Sequence, residues 1–407
     1  MRDVAIVGAG MIRFGRYPEK GIKDLVRESV DAAVADAGIQ KHAIQAAYVG
    51  SAVPGLMTGQ EQIKAQVALS AMGIDTIPMY NVENACASSS SALNLAWTAV
   101  AAGQFDCALV AGFEKLYDAD KLKSFMALGT AVDVEMAVKM LADFEKNQGS
   151  KDSILSSESG KSKSIFMDMY AYYTKQYMDK YGLTQKHFAE LAVKSHKNAA
   201  DNPHAMYQKE VSREEILNSG EVAYPLTRMM CSPVCDGSAA IIICAGDAIE
   251  QFAQPPIWIA ASVVGSGRIS QDTDDTLTRR LGPRAFSAAG IDPEDIDIIE
   301  VHDATTPSEI ISLIELGLVP AGEAAAWIEN GDLEISGRLP SNTSGGLTSK
   351  GHPIGATGLG QIYEIVNQLR GTAGRRQTSS PRVGMTHNGG GILGVDAAAM
   401  ALHIFKK

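Results

Sequence analysis

The segment from Val82 to Gln104, VENACASSSSALNLAWTAVAAGQ, places one cysteine just before a run of small and apolar residues with helical spacing. The serines from Ser88 to Ser91 suit a first helical turn, where hydroxyl groups can satisfy free N–H groups. Cys86 is therefore predicted at or just before a helix N-terminus, where the macrodipole lowers a thiol pKa and makes the thiolate a nucleophile. The alternative is a buried structural cysteine, which behaves as a small hydrophobe.

The composition indicates a folded, acidic protein. The chain has 407 residues, which favours two domains or one large core. Hydrophobic residues make up 45%, and the net charge of -11 argues against a general nucleic-acid binder. No apolar window is long enough to span a membrane, and the N-terminus does not resemble a signal peptide. We therefore expect a cytoplasmic protein without a membrane segment.

The cysteines predict neither a disulfide framework nor a metal site. They form a sparse, odd-numbered set without a paired CxxC motif. The set consists of Cys86, Cys107, Cys231, Cys235 and Cys244. Cys231 and Cys235 lie four residues apart, but without a second pair or a nearby histidine they are interpreted as core or loop residues.

Strands alternate with helices through the first half. Residues 3–10 read as a strand that ends in a GAG turn, but Arg13 occupies the place of the third glycine in a dinucleotide-binding loop. Residues 23–37 have helical spacing and end at Gly38, and residues 107–112 form a continuous apolar run typical of a buried strand. This alternation predicts an α/β sheet with helices on its faces.

Between residues 117 and 182 the pattern changes, because methionines and aromatic residues stand among lysines and acids without a strand signal. We predict a helical insertion that covers a binding site. The alternative is a helical excursion on the surface.

The second half repeats the first. Residues 289–302 align without gaps on residues 37–50 at an offset of 252, and residues 258–267 repeat the strand and glycine turn of the N-terminus. Residues 341–371 take the place of the Cys86 segment, and residues 383–399 that of the CALVAG strand. Such a duplication predicts two similar halves related by a pseudo-twofold axis, with a site where equivalent loops meet.

Three of the eight histidines, His302, His352 and His387, fall in loops at strand ends of the second half. A lone histidine is more often structural. Three of them in glycine-rich loops, equivalent by repeat to a loop with a cysteine, favour a catalytic site. Glycines also let backbone N–H groups approach a substrate closely, as an oxyanion hole requires.

With these motifs the sequence resembles the thiolases, and within them the archaeal and sterol-carrier-protein-type branch. The resemblance covers nearly the whole chain. It is carried by NACASSS around Cys86, SHKNA at 195–199, HDATTPSE from His302, GHPIGATG around His352 and HNGGG from His387. It implies a duplicated αβαβα thiolase fold with halves at residues 1–254 and 255–407. A helical loop domain at about 117–185 would cover coenzyme A, and the chain would form at least homodimers.

The resemblance also implies roles. Cys86 would be the acylated nucleophile, and His352 would activate it and help to bind the thioester oxygen. His302 stands where most thiolases have asparagine, in an oxyanion hole, and the N–H groups of Cys86 and Gly390 would form the other. Ser232 matches a serine that contacts pantetheine. Coenzyme A would be a substrate, with no cofactor bound covalently.

One departure concerns the second cysteine that thiolases use as an acid and base. The two places where relatives carry it hold His387 and Ala304 here. His387 is the nearest candidate by motif position, because an imidazole can transfer protons at neutral pH.

The leading prediction is thiolytic cleavage of a 3-oxoacyl-CoA by coenzyme A through a Cys86 acyl-enzyme. Alternatives are the reverse Claisen condensation, a retro-aldol cleavage as in some sterol-carrier-type relatives, and a non-catalytic subunit. The insertion could line a pocket for a bulky or aromatic acyl chain, or its side chains could simply pack together. The side chains concerned are Phe125, Met126, Phe166, Met167, Met169, Tyr170, Tyr172 and Tyr173.

Relatives of this type often work with a small subunit that has a zinc ribbon and an OB fold. The chain has no zinc-ligand set of its own, and its last residues, AMALHIFKK, are expected to follow the final strand without a fused carrier domain. We therefore expect a homodimeric core that recruits such a subunit into a hetero-oligomer.

Overall fold

The computed structural model describes residues 1–135, 138, 164–269 and 272–407. Its strands are β1 (Val4–Met11), β2 (Ala46–Gly50), β3 (Met79–Val82), β4 (Cys107–Glu114), β5 (Glu221–Ala223), β6 (Leu226–Thr227), β7 (Gly237–Ala245), β8 (Ile257–Ser266), β9 (Ile298–Glu300), β10 (Val383–Leu393) and β11 (Asp396–Lys406). All but the β5–β6 pair belong to one sheet of nine strands.

The described helices are α1 (Ile22–Ala37), α2 (Pro54–Thr58), α3 (Lys64–Ser70), α4 (Ser88–Ala101), α5 (Lys121–Leu128), α6 (Ile165–Tyr181), α7 (Gln185–Ala200), α8 (Arg213–Leu217), α9 (Leu277–Ala289), α10 (Pro307–Glu315), α11 (Ala324–Glu329) and α12 (Thr357–Arg370). None of them is both long and apolar enough to cross a membrane.

The sheet order is β3-β2-β4-β7-β1-β8-β11-β10-β9; the four strands next to the β1–β8 contact on each side repeat the same pairing pattern, and β3 is an additional strand at one edge. On one side β2 pairs parallel with β4, followed by antiparallel β4–β7 and β7–β1 pairs. On the other side β9 pairs parallel with β10, followed by antiparallel β10–β11 and β11–β8 pairs. A short antiparallel ladder between β1 and β8 joins the two halves at the centre. The predicted duplication is therefore present in the topology.

Three apolar clusters produce five layers. The middle cluster combines α4 and α12 with strands of both halves, so these two helices lie between the half-sheets. A second cluster packs α1 and α3 on the outer face of the first half. A third packs α7, α9, α10 and α11 on the outer face of the second half. This is the predicted αβαβα arrangement.

The two halves share equivalent helix ends and turns. α1 and α9 both end on a left-handed glycine, at Gly38 (φ 70°) and Gly290 (φ 63°), which are 252 residues apart. A 3₁₀ turn follows each, at Lys41–Ala43 and Pro293–Asp295, again at that offset. Glycine suits both stops because side chains with a Cβ rarely adopt a positive φ. The gapless alignment of 37–50 with 289–302 is thus confirmed.

The end of the chain differs from the sequence prediction. Residues 383–399 are not one strand, because β10 and β11 form a hairpin in which Leu393 pairs with Asp396. The residues AMALHIFKK, expected to follow the last strand, lie mostly within β11. The prediction treated these residues as one stretch, although Gly394 and Asp396 stand where the chain turns.

The insertion is described only in part. α5 and α6 are helical as predicted. The remaining stretch of the predicted insertion, residues 136–137 and 139–163, lies outside the described residues. The boundary predicted at residue 254 falls between a 3₁₀ turn (Gly246–Gln251) and β8, and it stays a prediction.

Candidate active site

Cys86 lies in a tight turn immediately before α4. Ala85 has a positive φ of 48°, and the N–H of Ala87 donates to the carbonyl of Asn84 at 3.0 Å. The hydroxyl oxygen of Ser88 accepts from the N–H of Asn84 at 2.9 Å, so it fixes this turn and does not cap the helix itself. Ser89 accepts from the N–H of Leu359 at 3.2 Å and links α4 to α12. The serines thus hold the cysteine against the other half.

Two predicted histidines meet the cysteine. The sulfur of Cys86 and one ring nitrogen each of His302 and His352 lie within 4.8 Å of one another. The two imidazole rings are 5.0 Å apart between centroids, at an interplanar angle of 84°. One cysteine and two histidines could in principle ligate a divalent ion. The prediction of no metal stays a prediction, and the grouping equally suits a nucleophile with nearby bases.

The loops that carry the two histidines are tied together by a buried carboxylate. Asp303, next to His302, accepts from the N–H of Leu347 at 2.7 Å and from the hydroxyl of Thr348 at 3.2 Å. Leu347 and Thr348 belong to the turn Gly346–Lys350 that leads to His352. Burial holds the pKa of Asp303 well above its usual range. The relative position of the histidines is therefore fixed by protein contacts.

His302 and His352 each have one ring nitrogen bonded within the protein. Nδ1 of His302 lies 3.0 Å from Oδ1 of Asn388, and Nδ1 of His352 lies 2.6 Å from the hydroxyl of Thr357. Burial lowers the pKa of His302 to about 4 and that of His352 well below its usual value. Both imidazoles are thus neutral at neutral pH, with Nε2 left free.

His387 borders the same cavity but has partners on both ring nitrogens. Its Nδ1 accepts from the backbone N–H of His302 at 3.4 Å, and its Nε2 lies 3.1 Å from the hydroxyl of Thr278. Burial lowers its pKa to about 3. His387 is therefore a neutral, hydrogen-bonded side chain, and the acid-base role predicted from its motif position stays a prediction.

The thiol pKa differs from the sequence prediction. Burial and the charge of Glu114 raise the pKa of Cys86 to about 12, although the N–H groups of Cys86 and Gly391 act in the opposite direction. The helix-terminus argument was wrong in sign because the loss of hydration outweighs the macrodipole. Cys86 is a neutral thiol in the free protein and needs a base before it can attack.

Gly390 packs against the cysteine turn. A Cβ there would lie 2.3 Å from the carbonyl oxygen of Asn84 and 3.0 Å from the nitrogen of Cys86. The backbone N–H that bonds the sulfur belongs to the next residue, Gly391. The oxyanion-hole role predicted for Gly390 stays a prediction, and Gly391 joins the candidate site.

A cavity of about 970 Å³ connects these groups. It is bordered by Cys86, His302, His352, His387 and Gly390, and also by Ser232, which was predicted to contact pantetheine. Of the eight insertion side chains named from the sequence, six line it: Phe125, Phe166, Met167, Met169, Tyr170 and Tyr173. Met126 and Tyr172 do not border it and are exposed.

Sequence reasoning missed the residues that orient the histidines. Asn388 and Thr357 stand inside the HNGGG and GHPIGATG motifs, so a signal was present but was assigned to the glycines and histidines. Thr278 has no such signal, because it lies in α9 and reaches His387 only through the fold.

Family models match both halves. The description "Thiolase, N-terminal domain" matches residues 4–247, and "Thiolase C-terminal domain-like" matches residues 261–403.

Known proteins are similar to this chain over nearly its full length. An acetyl-CoA acetyltransferase of Methanothermobacter thermautotrophicus is 37% identical over 412 residues, covering 100% of both chains. Sterol carrier protein 2 of Gallus gallus is 33% identical over 399 residues, covering 95% of this chain and 69% of that protein. The solved structure "Ltp2-ChsH2(DUF35) aldolase" has a TM-score of 0.78 at 24% identity, covering 98% of this chain and 97% of that one, and it bears out the fold.

Proposed function

Because the chain belongs to the thiolase family, whose members are acyltransferases acting on acyl-CoA, we propose that it cleaves 3-oxoacyl-CoA with coenzyme A through an acyl-enzyme on Cys86. The observation that carries this proposal is the grouping of the Cys86 sulfur with one nitrogen each of His302 and His352 within 4.8 Å. A thiol that is neutral when free needs an adjacent base, and neutral imidazoles provide one.

The chemistry runs in two halves. His352 takes the thiol proton as the Cys86 sulfur adds to the ketone carbon of the substrate. The resulting oxyanion lies among N–H donors, from the protonated imidazole and from the backbone of Cys86 and Gly391. Breaking the C2–C3 bond leaves a thioester on Cys86 and an acyl-CoA enolate. Coenzyme A then takes the acyl group from Cys86.

The rim of the cavity suits the phosphates of coenzyme A. Exposed basic side chains stand along it, and charge-assisted hydrogen bonds from such groups favour phosphate. They are Arg16, Lys121, Lys209 and Arg228. Ser232, with its N–H bonded to the carbonyl of Ala304 at 3.0 Å, borders the passage from this rim to Cys86. We assign it the pantetheine contact.

The acyl group is proposed to be bulky or aromatic. Methionine and aromatic side chains of the insertion line the cavity that Cys86 borders, and such side chains adapt to large apolar ligands. The test is the rate of the purified chain with acetoacetyl-CoA against branched and phenyl-substituted 3-oxoacyl-CoAs. Met169 borders the cavity and Met126 does not, so Met169→Ala should shift the preference and Met126→Ala should not. A wild-type preference for acetoacetyl-CoA contradicts the bulky-acyl proposal.

Other reactions are compatible with parts of the site. Claisen condensation uses the same residues in reverse, so its direction depends on substrate supply. A retro-aldol cleavage would not need Cys86, and a non-catalytic subunit would need neither Cys86 nor the histidines. Detection of one acyl group on Cys86 by intact mass separates the acyltransferase from both of these alternatives.

The quaternary structure is also a proposal. We expect a homodimer that recruits a small zinc-ribbon and OB-fold subunit. The name of the aldolase structure joins it to a DUF35 protein, but at 24% identity that match carries the fold alone. Co-expression with candidate subunits and size-exclusion chromatography test the idea. A dimer with full activity, and with mass and rate unchanged by the subunit, rules the partnership out.

A further inference from the structure

We propose that His302 is the base that exchanges a proton with the α-carbon of the acyl-CoA substrate, and that Asn388 positions it by fixing its tautomer. This inference deepens the proposed function and rests on it. Proton transfer at the α-carbon needs a base. Neither the neutral thiol of Cys86 nor the hydrogen-bonded ring of His387 provides one.

The orientation of the Asn388 amide is fixed by its hydrogen bonds. Its Nδ2 lies 3.1 Å from the carbonyl oxygen of Cys86 and 3.1 Å from the hydroxyl of Ser90. The opposite orientation would bring an amide oxygen against the Cys86 carbonyl, which cannot donate a hydrogen bond. Oδ1 therefore faces His302, where it can only accept.

The orientation of Asn388 sets the tautomer of His302. Because Oδ1 of Asn388 accepts, Nδ1 of the neutral imidazole carries the proton, and Nε2 presents a lone pair to the cavity. His352 has the same tautomer, since the Thr357 hydroxyl donates to the carbonyl of Pro353 at 3.1 Å and so accepts from Nδ1 of His352. Two lone pairs thus face the sulfur of Cys86. A neutral His302 with this tautomer is a base, and it cannot donate to an oxyanion as the family resemblance implied.

The hydrogen bonds of His387 exclude it as the base. Its Nδ1 accepts from the backbone N–H of His302, so its Nε2 carries the proton. The Thr278 hydroxyl accepts that proton, and it donates its own proton to the sulfur of Met400 at 3.5 Å. No lone pair of the neutral ring is left for a substrate proton.

The protons balance without a second thiol. In the first half-reaction Nε2 of His352 takes the Cys86 proton and passes it to Nε2 of His302, which lies within 4.8 Å, while the C2–C3 bond breaks and its electron pair stays on C2 as the enolate. Nε2 of His302 delivers the proton to C2. In the second half the pair takes the proton of the coenzyme A thiol, the sulfur of coenzyme A attacks the thioester, and the proton returns to Cys86 as its C–S bond breaks. Repulsion between the close rings keeps the pair at one proton.

The experiment separates proton exchange from acylation. The full chain is incubated with acetyl-CoA in D₂O, and loss of the methyl proton signal reports exchange at the α-carbon. Acetylation of Cys86 by the same acetyl-CoA, read by intact mass, needs no proton from that carbon. His302→Asn removes the ring nitrogen that acts as the base. We expect exchange to fall by roughly 100-fold or more while acetylation stays within about tenfold.

Each result decides one question. Exchange at the wild-type rate in His302→Asn overturns the proposal, as does equal loss of exchange and acetylation. If the wild-type protein exchanges the α-proton but is never acetylated, the proposed function is contradicted. The role of His302 is still supported in that case if the variant loses exchange. Thermal melting checks folding, and His302→Gln is read in the same way if His302→Asn does not fold.

Variants of Asn388 test its positioning role. Asn388→Leu removes the acceptor, so exchange should fall although His302 is intact. Asn388→Asp keeps the acceptor toward His302, loses the donor toward the Cys86 carbonyl, and adds a negative charge that raises the pKa of His302, so the exchange that remains should have a pH profile displaced to higher pH. A structural role alone would not move that profile, and an unchanged profile in Asn388→Asp overturns the positioning role.

Discussion

The side-chain amide of Asn388 donates to the backbone carbonyl of Cys86 at 3.1 Å, across 302 residues of sequence. This bond joins β10 of the second half to the turn before α4 in the first. The cysteine is thus held from both halves, and the site exists only where the halves meet.

The first prediction concerns the ionisation of Cys86. Because burial raises its pKa to about 12, the thiolate fraction at neutral pH is small and grows about tenfold with each pH unit. The rate of iodoacetamide alkylation at Cys86, followed by peptide mass, should therefore rise steadily from pH 7 to pH 10. A plateau with a midpoint below pH 8 would show that the thiolate is already stabilised in the free protein.

The second prediction concerns the glycines of β10. Gly390→Ala places a Cβ 2.3 Å from the carbonyl oxygen of Asn84 and displaces the Cys86 turn, so acylation should fall roughly 100-fold. Gly389→Ala is the matched control, because its nearest neighbour is the Met400 Cε at 3.6 Å, an ordinary contact. Rates of Cys86 acylation in the two variants test the difference, and similar rates would mean that the turn is not held by close packing at Gly390.

The third prediction concerns His387. His387→Ala leaves the N–H of His302 and the hydroxyl of Thr278 without their partner, which costs about 1–3 kcal/mol of unfolding free energy. Deuterium exchange into acetyl-CoA should stay within about tenfold of wild type. Chemical denaturation measures the unfolding free energy, and the exchange assay measures the rate of deuterium incorporation. Lost exchange at unchanged stability would instead return the acid-base role to His387.

Sequence patterns predicted the fold well because the chain repeats itself. Gly38 and Gly290 end equivalent helices at the predicted offset, and the alternation of strands and helices gives the layers. The β10–β11 hairpin was not predicted, because the short turn at Gly394 follows other glycines in the sequence and does not stand out from them.

The sequence predicted which residues of the candidate site lie close together but not their electrostatics. Cys86, His302 and His352 come together as expected. The ionisation of Cys86 could not be predicted, because it depends on how much water the folded chain excludes. The tautomer of His302 depends on Asn388, 86 residues away, and motif reading has no access to that contact.

The central claim is that Cys86 carries the acyl group. Intact-mass spectrometry of the purified chain after incubation with a 3-oxoacyl-CoA measures this directly, with peptide mapping to locate the group. We predict one acyl group on Cys86, absent in Cys86→Ser, together with loss of thiolysis in a variant that melts like the wild type. Thiolysis near the wild-type rate in Cys86→Ser, or an acyl group at another residue, would contradict the account.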